Sequence, residues 1–217
     1  MNKEEILKIV DYTLLKQTAT WQDIKDLCDE AIKLKTASVC IPACFVQKAK
    51  EYVKEKMKIC TVVGFPNGYS TISTKLYETM ECLKNGADEI DMVINISALK
   101  EKDYDYVLNE INVLKNACKE KILKVIVETC LLSEEEKIKV CEIISKSNAD
   151  FIKTSTGFST AGAQVQDIEL FKRVLTVEKQ IKASGGIRTF EDANKMIEAG
   201  ATRIGTSGLK WLEKGDV

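Results

Sequence analysis

The sequence predicts an α/β fold, a single (β/α)8 TIM barrel in which helices cover a closed parallel sheet. Three observations predict this fold. Short β-branched apolar runs alternate with amphipathic segments of helical period, eight such runs occur, and from the second onward they start 22 to 35 residues apart. That spacing suits a strand-helix-strand crossover. Eight units favour a closed barrel over an open doubly wound sheet, which is the alternative.

No linker or change in composition interrupts the series, so we expect residues 1–217 to form one catalytic domain. Because strands of a parallel barrel are covered on both faces, they are nearly continuous apolar runs rather than strict alternations. The candidate strands are residues 9–15, 37–41, 59–65, 89–96, 124–128, 151–155, 180–184 and 203–206.

Helix signals lie between these runs. Ser133 followed by Glu136, and Thr189 followed by Asp192, are arrangements that cap helix N-termini, and Gly200 is a natural helix stop. These signals predict helices near 133–147 and 189–200. A third helix is predicted over 21–34, where the residues that share one apolar face are Ile24, Leu27, Cys28, Ala31 and Ile32.

The composition argues against several classes of function. Thirty-two basic and 33 acidic residues give a net charge of −1, so we expect neither nucleic acid nor a membrane as partner. The chain contains no histidine, which excludes Ser-His-Asp and Cys-His catalysis and every His-ligated metal centre. Catalysis must therefore use Lys, Asp, Glu, Tyr, Cys or backbone amides, and we expect no metal and no cofactor.

The cysteines point to a reducing compartment. They are scattered through apolar segments without a C-x-x-C pair, which predicts free thiols rather than disulfides or zinc ligands. Neither an N-terminal apolar leader nor an uncharged membrane-spanning stretch is evident, so we expect a cytoplasmic protein. The eight are Cys28, Cys40, Cys44, Cys60, Cys82, Cys118, Cys130 and Cys141.

Charged residues occur inside three predicted strands, where a covered strand should have none. Alternation places Glu89, Asp91 and Val93 on the inward face of one strand, Lys153 inside a second, and Lys182 inside a third. Because burying an unpaired charge is costly, these groups must point into the lumen near its mouth. Two lysines and an aspartate should therefore meet there.

Such a cluster has two interpretations. Burial and a second ammonium both disfavour the protonated form, so a lysine of this cluster is expected to have a lowered pKa and to attack carbonyl groups. Alternatively, Lys153 and Lys182 are structural and pair with Asp91, Glu89 or Glu128 in a buried ion network.

Glycine-rich loops follow the last two strands, with the sequences SGGIR at 184–188 and GTSG at 205–208. In barrels these positions commonly hold a phosphate group, which backbone N–H groups and a helix N-terminus bind. Gly64 is expected to form a plain turn, with Phe65 beside it in a packing role.

The motifs together resemble the 2-deoxy-D-ribose-5-phosphate aldolase family, in the same order and at the same spacing over nearly the whole chain. The most specific are FIKTSTGF at 151–158 and IKASGGIRT at 181–189, since each combines a strand, a lysine and a glycine turn. The others lie at 11–16, 61–66, 86–93 and 124–129.

The resemblance implies a metal-free class I aldolase that reversibly cleaves 2-deoxy-D-ribose 5-phosphate to acetaldehyde and D-glyceraldehyde 3-phosphate, in deoxyribose phosphate catabolism. It also implies a homodimer or larger homo-oligomer. By the same resemblance, Lys153 is the Schiff-base nucleophile. Lys182 is the neighbouring lysine that lowers its pKa and joins the proton relay, and Asp91 moves protons through an ordered water.

The resemblance also implies where the small phosphorylated sugar binds. Phe158 stands where some members have a lysine, and the loop at 205–208 departs from the common pattern, so phosphate binding is expected to have fewer contacts here. The implied substrate-binding residues are Asp11, Thr154, Gly185, Gly186, Gly205 and Ser207.

Two other functions fit the same residues. A transaldolase-like enzyme would use the same lysine chemistry with a ketone donor. A phosphosugar-binding barrel would use the lysines only to neutralise charge and would bind its ligand without covalent capture. A metal-dependent aldolase is disfavoured because the chain lacks histidine ligands.

Overall fold

Eight parallel strands close into a barrel in the computed structural model, which describes residues 1–176 and 178–209. Each strand pairs with the next along the chain, and the eighth pairs with the first. The predicted barrel is confirmed, and the open doubly wound sheet is wrong. The strands are β1 Val10–Thr13, β2 Ser38–Ile41, β3 Ile59–Val63, β4 Glu89–Val93, β5 Ile122–Ile126, β6 Phe151–Lys153, β7 Gln180–Ser184 and β8 Arg203–Thr206.

Helices surround the barrel, and the three predicted from sequence are among them. Ser133 and Thr189 both form complete capping boxes, with Glu136 and Asp192 respectively. None of the helices in the described ranges is long and apolar enough to cross a membrane. The α-helices are α1 Lys3–Leu7, α2 Trp21–Leu34, α3 Val46–Val53, α4 Ile72–Lys84, α5 Ile96–Lys100, α6 Tyr104–Cys118, α7 Glu134–Lys146, α8 Val165–Val174 and α9 Phe190–Ala199.

Several strands are shorter than the apolar runs that predicted them, because the runs continue into loops at the mouth. The run at 89–96 leaves the sheet after Val93, since the Asn95 side chain caps α5. The run at 59–65 ends before Gly64, whose φ of 62° is incompatible with a strand. In contrast, β5 begins at Ile122, two residues before the expected start.

The two faces of the barrel strands have different chemistry, as β4 illustrates. Ile90 and Met92 belong to the large apolar cluster between sheet and helices and are fully buried. Glu89 and Asp91 are also buried, but their side chains form ion pairs inside the lumen. The alternation of β4 therefore follows the sequence-based expectation, and the lumen has a charged interior.

A second buried ion pair lies outside the barrel and holds the ends of two strands. Lys75 of α4 donates to the Val93 carbonyl at 2.7 Å and to Glu110 of α6 at 2.5 Å. The other Glu110 oxygen accepts the Asn95 backbone N–H at 2.9 Å. Both charged side chains are fully buried, and Gly64 leaves the room that the Lys75 stem fills, since a Cβ there would lie 2.7 Å from its Cε. The pair fixes the mouth beside β3 and β4.

Removing one partner of this pair should be costly. We expect Glu110→Ala to lower the free energy of unfolding by about 3–5 kcal/mol, because it leaves the Lys75 ammonium buried without its ion-pair partner. Urea unfolding measures this. Glu142→Ala, which breaks a partly exposed pair with Lys139 at 2.5 Å, is the control and should shift the midpoint little. Equal midpoints for the two variants would contradict the argument.

Candidate active site

A single carboxylate, Asp91 on β4, joins the charged side chains of the lumen. Its Oδ2 accepts from Lys153 at 2.8 Å and from Lys182 at 2.7 Å. Its Oδ1 accepts from Lys124 at 2.9 Å and from the Cys60 thiol at 3.2 Å. The three residues that the strand pattern placed together are therefore in direct contact.

The network continues towards the amino-terminal end of the barrel. Asp11 accepts from Lys182 with one oxygen and from Arg203 at 2.7 Å with the other. Glu89 pairs with Lys124 at 2.5 Å and with Arg203 at 3.3 Å. Within the described part of the lumen, four cationic side chains of this network face three carboxylates. Each of these groups has at least one partner of opposite charge, as buried charges require.

The network shifts the ionisation of its members. Burial alone would raise the pKa of Asp91, but the ammonium groups of Lys124, Lys153 and Lys182 together lower it well below 3.8. Burial alone would lower the pKa of Lys182, but Asp11 and Asp91 raise it above 10.5. The pKa of Lys182 is therefore raised, because these carboxylates contribute more than burial and the neighbouring ammonium.

Three members of the network were missed by sequence reasoning. Lys124 stood at the first position of an expected strand, whereas β5 begins at Ile122 and places Lys124 in register with Asp91. The signal was therefore present but misread by a two-residue error in the boundary. Arg203 is the first residue of both the expected run and β8 and carried no further signal. Cys60 is one of the cysteines expected only to be free thiols.

A cavity of about 370 Å³ lies above the network, at the carboxyl ends of the strands. Of the three lumen lysines, Lys124, Lys153 and Lys182, only Lys153 lines it, and it is 3% exposed. The other lining residues come mainly from loops after β1, β6, β7 and β8. They are Thr13, Leu14, Leu15, Lys16, Thr156, Gly157, Phe158, Ser184, Gly185, Gly186, Ile187, Arg188, Gly205, Thr206 and Ser207.

The glycines of the cavity have distinct roles. Gly185 and Gly186 adopt φ of 85° and 77°, which L side chains rarely adopt, and a Cβ on Gly186 would meet open space. Gly205 instead makes room inside the barrel, since a Cβ there would lie 3.2 Å from the Lys182 Cε. These three glycines and Ser207 line the cavity at the ends of β7 and β8, where small residues leave space for a ligand.

Two predicted substrate-binding residues do not line this cavity. Thr154 is fully buried, and its hydroxyl donates to the Ser184 carbonyl at 3.2 Å and accepts the Ser184 N–H at 3.1 Å. It therefore ties β7 to the end of β6. Asp11 is also fully buried, below Lys182, and its contacts are with network residues and with Ser38 at 2.7 Å.

Side chains at the mouth of the barrel fix the conformation of the loops there. Glu128, one of the carboxylates considered as partners of the lysines, instead accepts from the Thr156 backbone N–H and hydroxyl, so it orders the loop after β6. Phe65 has the expected packing role. Its ring meets that of Phe158 edge-on, with centroids 5.2 Å apart, and Phe158 is half exposed above the cavity.

Among residues 1–176 and 178–209, two sets of donors have metal-ligand spacing, Cys40 with Cys60 and Asp91, and Asp11 with Cys60 and Glu89. In both sets the carboxylates already accept from ammonium or guanidinium groups. A cation there would meet those positive charges at close range. The donor chemistry therefore gives no support for a resident metal.

The fold and the site together define a (β/α)8-barrel enzyme with a carboxylate-paired lysine at the floor of a polar cavity. Residues 6–213 match the family model described as DeoC/LacD family aldolase. The chain belongs to this family, and it is an aldolase, a carbon-carbon lyase.

Similar proteins support this assignment over the full length. A deoxyribose-phosphate aldolase of Clostridioides difficile (strain 630) is 56% identical over 98% of this chain and 97% of that protein. The crystal structure of a putative deoxyribose-phosphate aldolase from Coccidioides immitis superposes with a TM-score of 0.93, at 40% identity, over 95% of this chain and 83% of the other. A deoxyribose phosphate aldolase from Aeropyrum pernix, described as a unique tetramer, gives 0.86 at 30% identity over 95% and 88%.

The lowered pKa of Asp91 makes the free energy of unfolding depend on pH in the acidic range. The unfolded chain binds a proton at this carboxyl as the pH falls through about 3.8, whereas the folded chain does not. The stabilisation is therefore present above that pH and is lost as the pH falls further. We expect Asp91→Asn to flatten the decline in unfolding free energy between about pH 5 and pH 3, measured by urea titration. If the unfolding free energy of Asp91→Asn declined with pH as steeply as that of the unsubstituted protein, Asp91 would not be the source of this pH dependence.

Proposed function

We propose that this aldolase cleaves 2-deoxy-D-ribose 5-phosphate reversibly to acetaldehyde and D-glyceraldehyde 3-phosphate through a Schiff base on Lys153. The observation that carries the proposal is that, of Lys124, Lys153 and Lys182, only Lys153 lines the cavity. The names of the relatives support the substrate, since the curated ones at 52–56% identity are deoxyribose-phosphate aldolases.

The chemistry begins when the neutral Lys153 amine attacks the aldehyde carbon. The carbinolamine that forms loses water and gives a protonated imine, which accepts electrons better than the carbonyl it replaces. The hydroxyl on C3 then loses its proton, the C2–C3 bond breaks, and its electron pair moves towards the imine nitrogen. Glyceraldehyde 3-phosphate leaves, and an enamine remains on the lysine. Protonation of the enamine carbon and hydrolysis release acetaldehyde.

These steps require proton transfers close to the Lys153 nitrogen. Asp91 Oδ2 contacts both Lys153 and Lys182, so a proton can pass between the two amines through a single carboxylate. Lys124 and Cys60 occupy the other oxygen and hold the carboxylate in this orientation. We assign Asp91 and Lys182 to the proton relay, with Asp11 positioning Lys182.

Phosphate recognition completes the proposal. The phosphate group lies at the end of the substrate far from C1, and Gly185, Gly186, Gly205 and Ser207 line the cavity at the ends of β7 and β8. Backbone N–H groups there bind the anion and orient the sugar. Because this binding energy positions the reacting carbon, the free sugar should react more slowly.

We further propose a cytoplasmic homo-oligomer in which residues 1–217 form one catalytic domain, acting in deoxyribose phosphate catabolism. The free state of all eight thiols supports a reducing compartment. The tetramer named for the Aeropyrum pernix relative supports oligomerisation. The exposed side chains of Tyr69, Tyr77 and Met80 near and on α4 provide apolar surface that a second copy could cover.

Imine formation can be trapped directly. We expect acetaldehyde and borohydride to leave an ethyl group on Lys153, located by peptide mass mapping, and Lys153→Met to abolish both the adduct and turnover. Lys139→Met, on the outer surface of α7, is the control and should retain both. An adduct on Lys16 or Lys182 instead would overturn the assignment of the nucleophile. Ligand binding without any adduct would favour the phosphosugar-binding barrel, and preference for a ketone donor would favour the transaldolase-like enzyme.

The phosphate site has its own test. A Cβ at residue 186 would enter the open space of the cavity, where we propose that the phosphate binds. We expect Gly186→Ala to lower kcat/KM for the phosphorylated sugar by about tenfold, equivalent to about 1.4 kcal/mol, and to affect free 2-deoxyribose much less. The ratio of the two values separates phosphate contact from backbone strain, which would affect both substrates equally. An unchanged ratio would remove Gly186 from the phosphate site.

A further inference from the structure

Two cysteine side chains lie next to each other inside the barrel, beside the catalytic carboxylate. Cys40 on β2 and Cys60 on β3 are register partners in the parallel sheet, and both are completely buried. The two Sγ atoms and one carboxylate oxygen of Asp91 all lie within 4.8 Å of one another. Both thiols therefore face the lumen rather than the helix layer.

This geometry is compatible with a disulfide. Register partners on neighbouring strands are separated by about 4.8 Å, the spacing of the strands in the sheet. Disulfides usually join Cα atoms that are about 4.4–6.8 Å apart, so the strands do not need to move far for a bond to form. Since both side chains already point to the same side of the sheet, rotation about the side-chain bonds can bring the sulfur atoms together.

The two thiols differ in acidity, and this difference indicates which of them reacts first with an oxidant. The neighbouring Cys60 thiol is the largest influence on Cys40 and lowers its pKa; Lys182 and Lys153 act in the same direction, against burial and Asp91. Burial, followed by the neighbouring Cys40 thiol and Asp91, raises the pKa of Cys60 well above 9. Because the thiolate is the reactive form, Cys40 is the thiol that reacts first.

We propose that Cys40 and Cys60 form a reversible redox site, which a small peroxide converts to a disulfide. The Cys40 thiolate attacks one oxygen of hydrogen peroxide, the O–O bond breaks, and the products are a sulfenic acid and hydroxide. The Cys60 sulfur then attacks the Cys40 sulfur and expels the hydroxyl group, which leaves as water with the Cys60 proton. The two sulfurs are together oxidised by two electrons, and the peroxide is reduced.

Oxidation would remove contacts that hold Asp91. The Cys60 thiol donates to Asp91 Oδ1 at 3.2 Å, and its sulfur accepts from Lys124 at 3.4 Å. A disulfide has no proton to donate, and it turns the Cys60 sulfur towards β2. If the proposed aldolase mechanism is correct, on which this consequence rests, the relay carboxylate loses one of its anchors and turnover falls.

The other cysteines provide the comparison. Burial raises the pKa of Cys28 and Cys118 to about 11 and that of Cys82 and Cys141 to about 12, so these helix thiols are poor nucleophiles. Cys44 is exposed and lies only four residues from Cys40. It must therefore be removed before any cross-link is assigned.

The test uses the full chain with the substitution Cys44→Ser. After treatment with hydrogen peroxide and alkylation of free thiols, trypsin should yield peptide 36–48 linked to peptide 59–75, each then carrying one cysteine. Reduction with dithiothreitol should separate the two. In Cys44→Ser/Cys60→Ala the linked peptide should be absent, and the sulfenic acid on Cys40 should instead be captured by dimedone. Absence of the linked peptide from peroxide-treated, folded Cys44→Ser protein would overturn the proposal.

Activity is a separate readout of the same samples. We expect aldolase turnover of Cys44→Ser protein to fall in proportion to the fraction of linked peptide and to return with dithiothreitol. Full activity in fully linked protein would overturn the inhibitory consequence. Turnover that is absent before oxidation would instead contradict the proposed function, while the linked peptide would still decide whether the redox site exists.

Discussion

The structure of the lumen depends on one carboxylate that is shared among several cations. Asp91 brings three ammonium groups to within 2.9 Å of its two oxygens, and none of these groups is more than slightly exposed. An isolated charge at this depth would be strongly destabilising, so each cation depends on the carboxylates around it. The same pairing that makes burial tolerable also leaves Lys153 at the cavity floor in contact with a proton acceptor. The stability of the buried lysines and the environment of Lys153 therefore both depend on Asp91.

From the sequence, a buried ion network and a carbonyl-reactive lysine are alternatives. The structure has the ion network, and one lysine of that network lines the cavity. Lys182 and Lys124 are enclosed by carboxylates, and their raised pKa is what a structural cation requires. Lys153 contacts the same Asp91 but lies where a ligand can reach it. The distinction between the lysines is therefore one of depth along the barrel axis. A strand pattern with a period of two residues gives the face of a side chain but does not give that depth.

The sequence predicted the fold well because its signals are local and repeated. The capping residues Ser133 and Thr189 and the stop at Gly200 act within one helical turn, so the adjoining helices were predicted closely. The ends of strands were predicted less well, because apolar runs continue into the mouth loops, where tertiary contacts decide the conformation. The error in β5 lies at the other end of a strand: β5 begins at Ile122, so Lys124 lies inside the strand rather than at its first position. The thiol pair requires the register between β2 and β3, which no single strand encodes.

The mouth of the cavity is built differently from its floor. Below, the ion network couples side chains from many strands, so a change at one position disturbs several others. Above, Phe65 and Phe158 meet through a single ring-on-ring contact between two loops. Substitutions at these two positions can reshape the entrance without altering the charge balance beneath it. Selection, in nature or in the laboratory, can thus vary which ligands enter the cavity while leaving Lys153 and its partners intact.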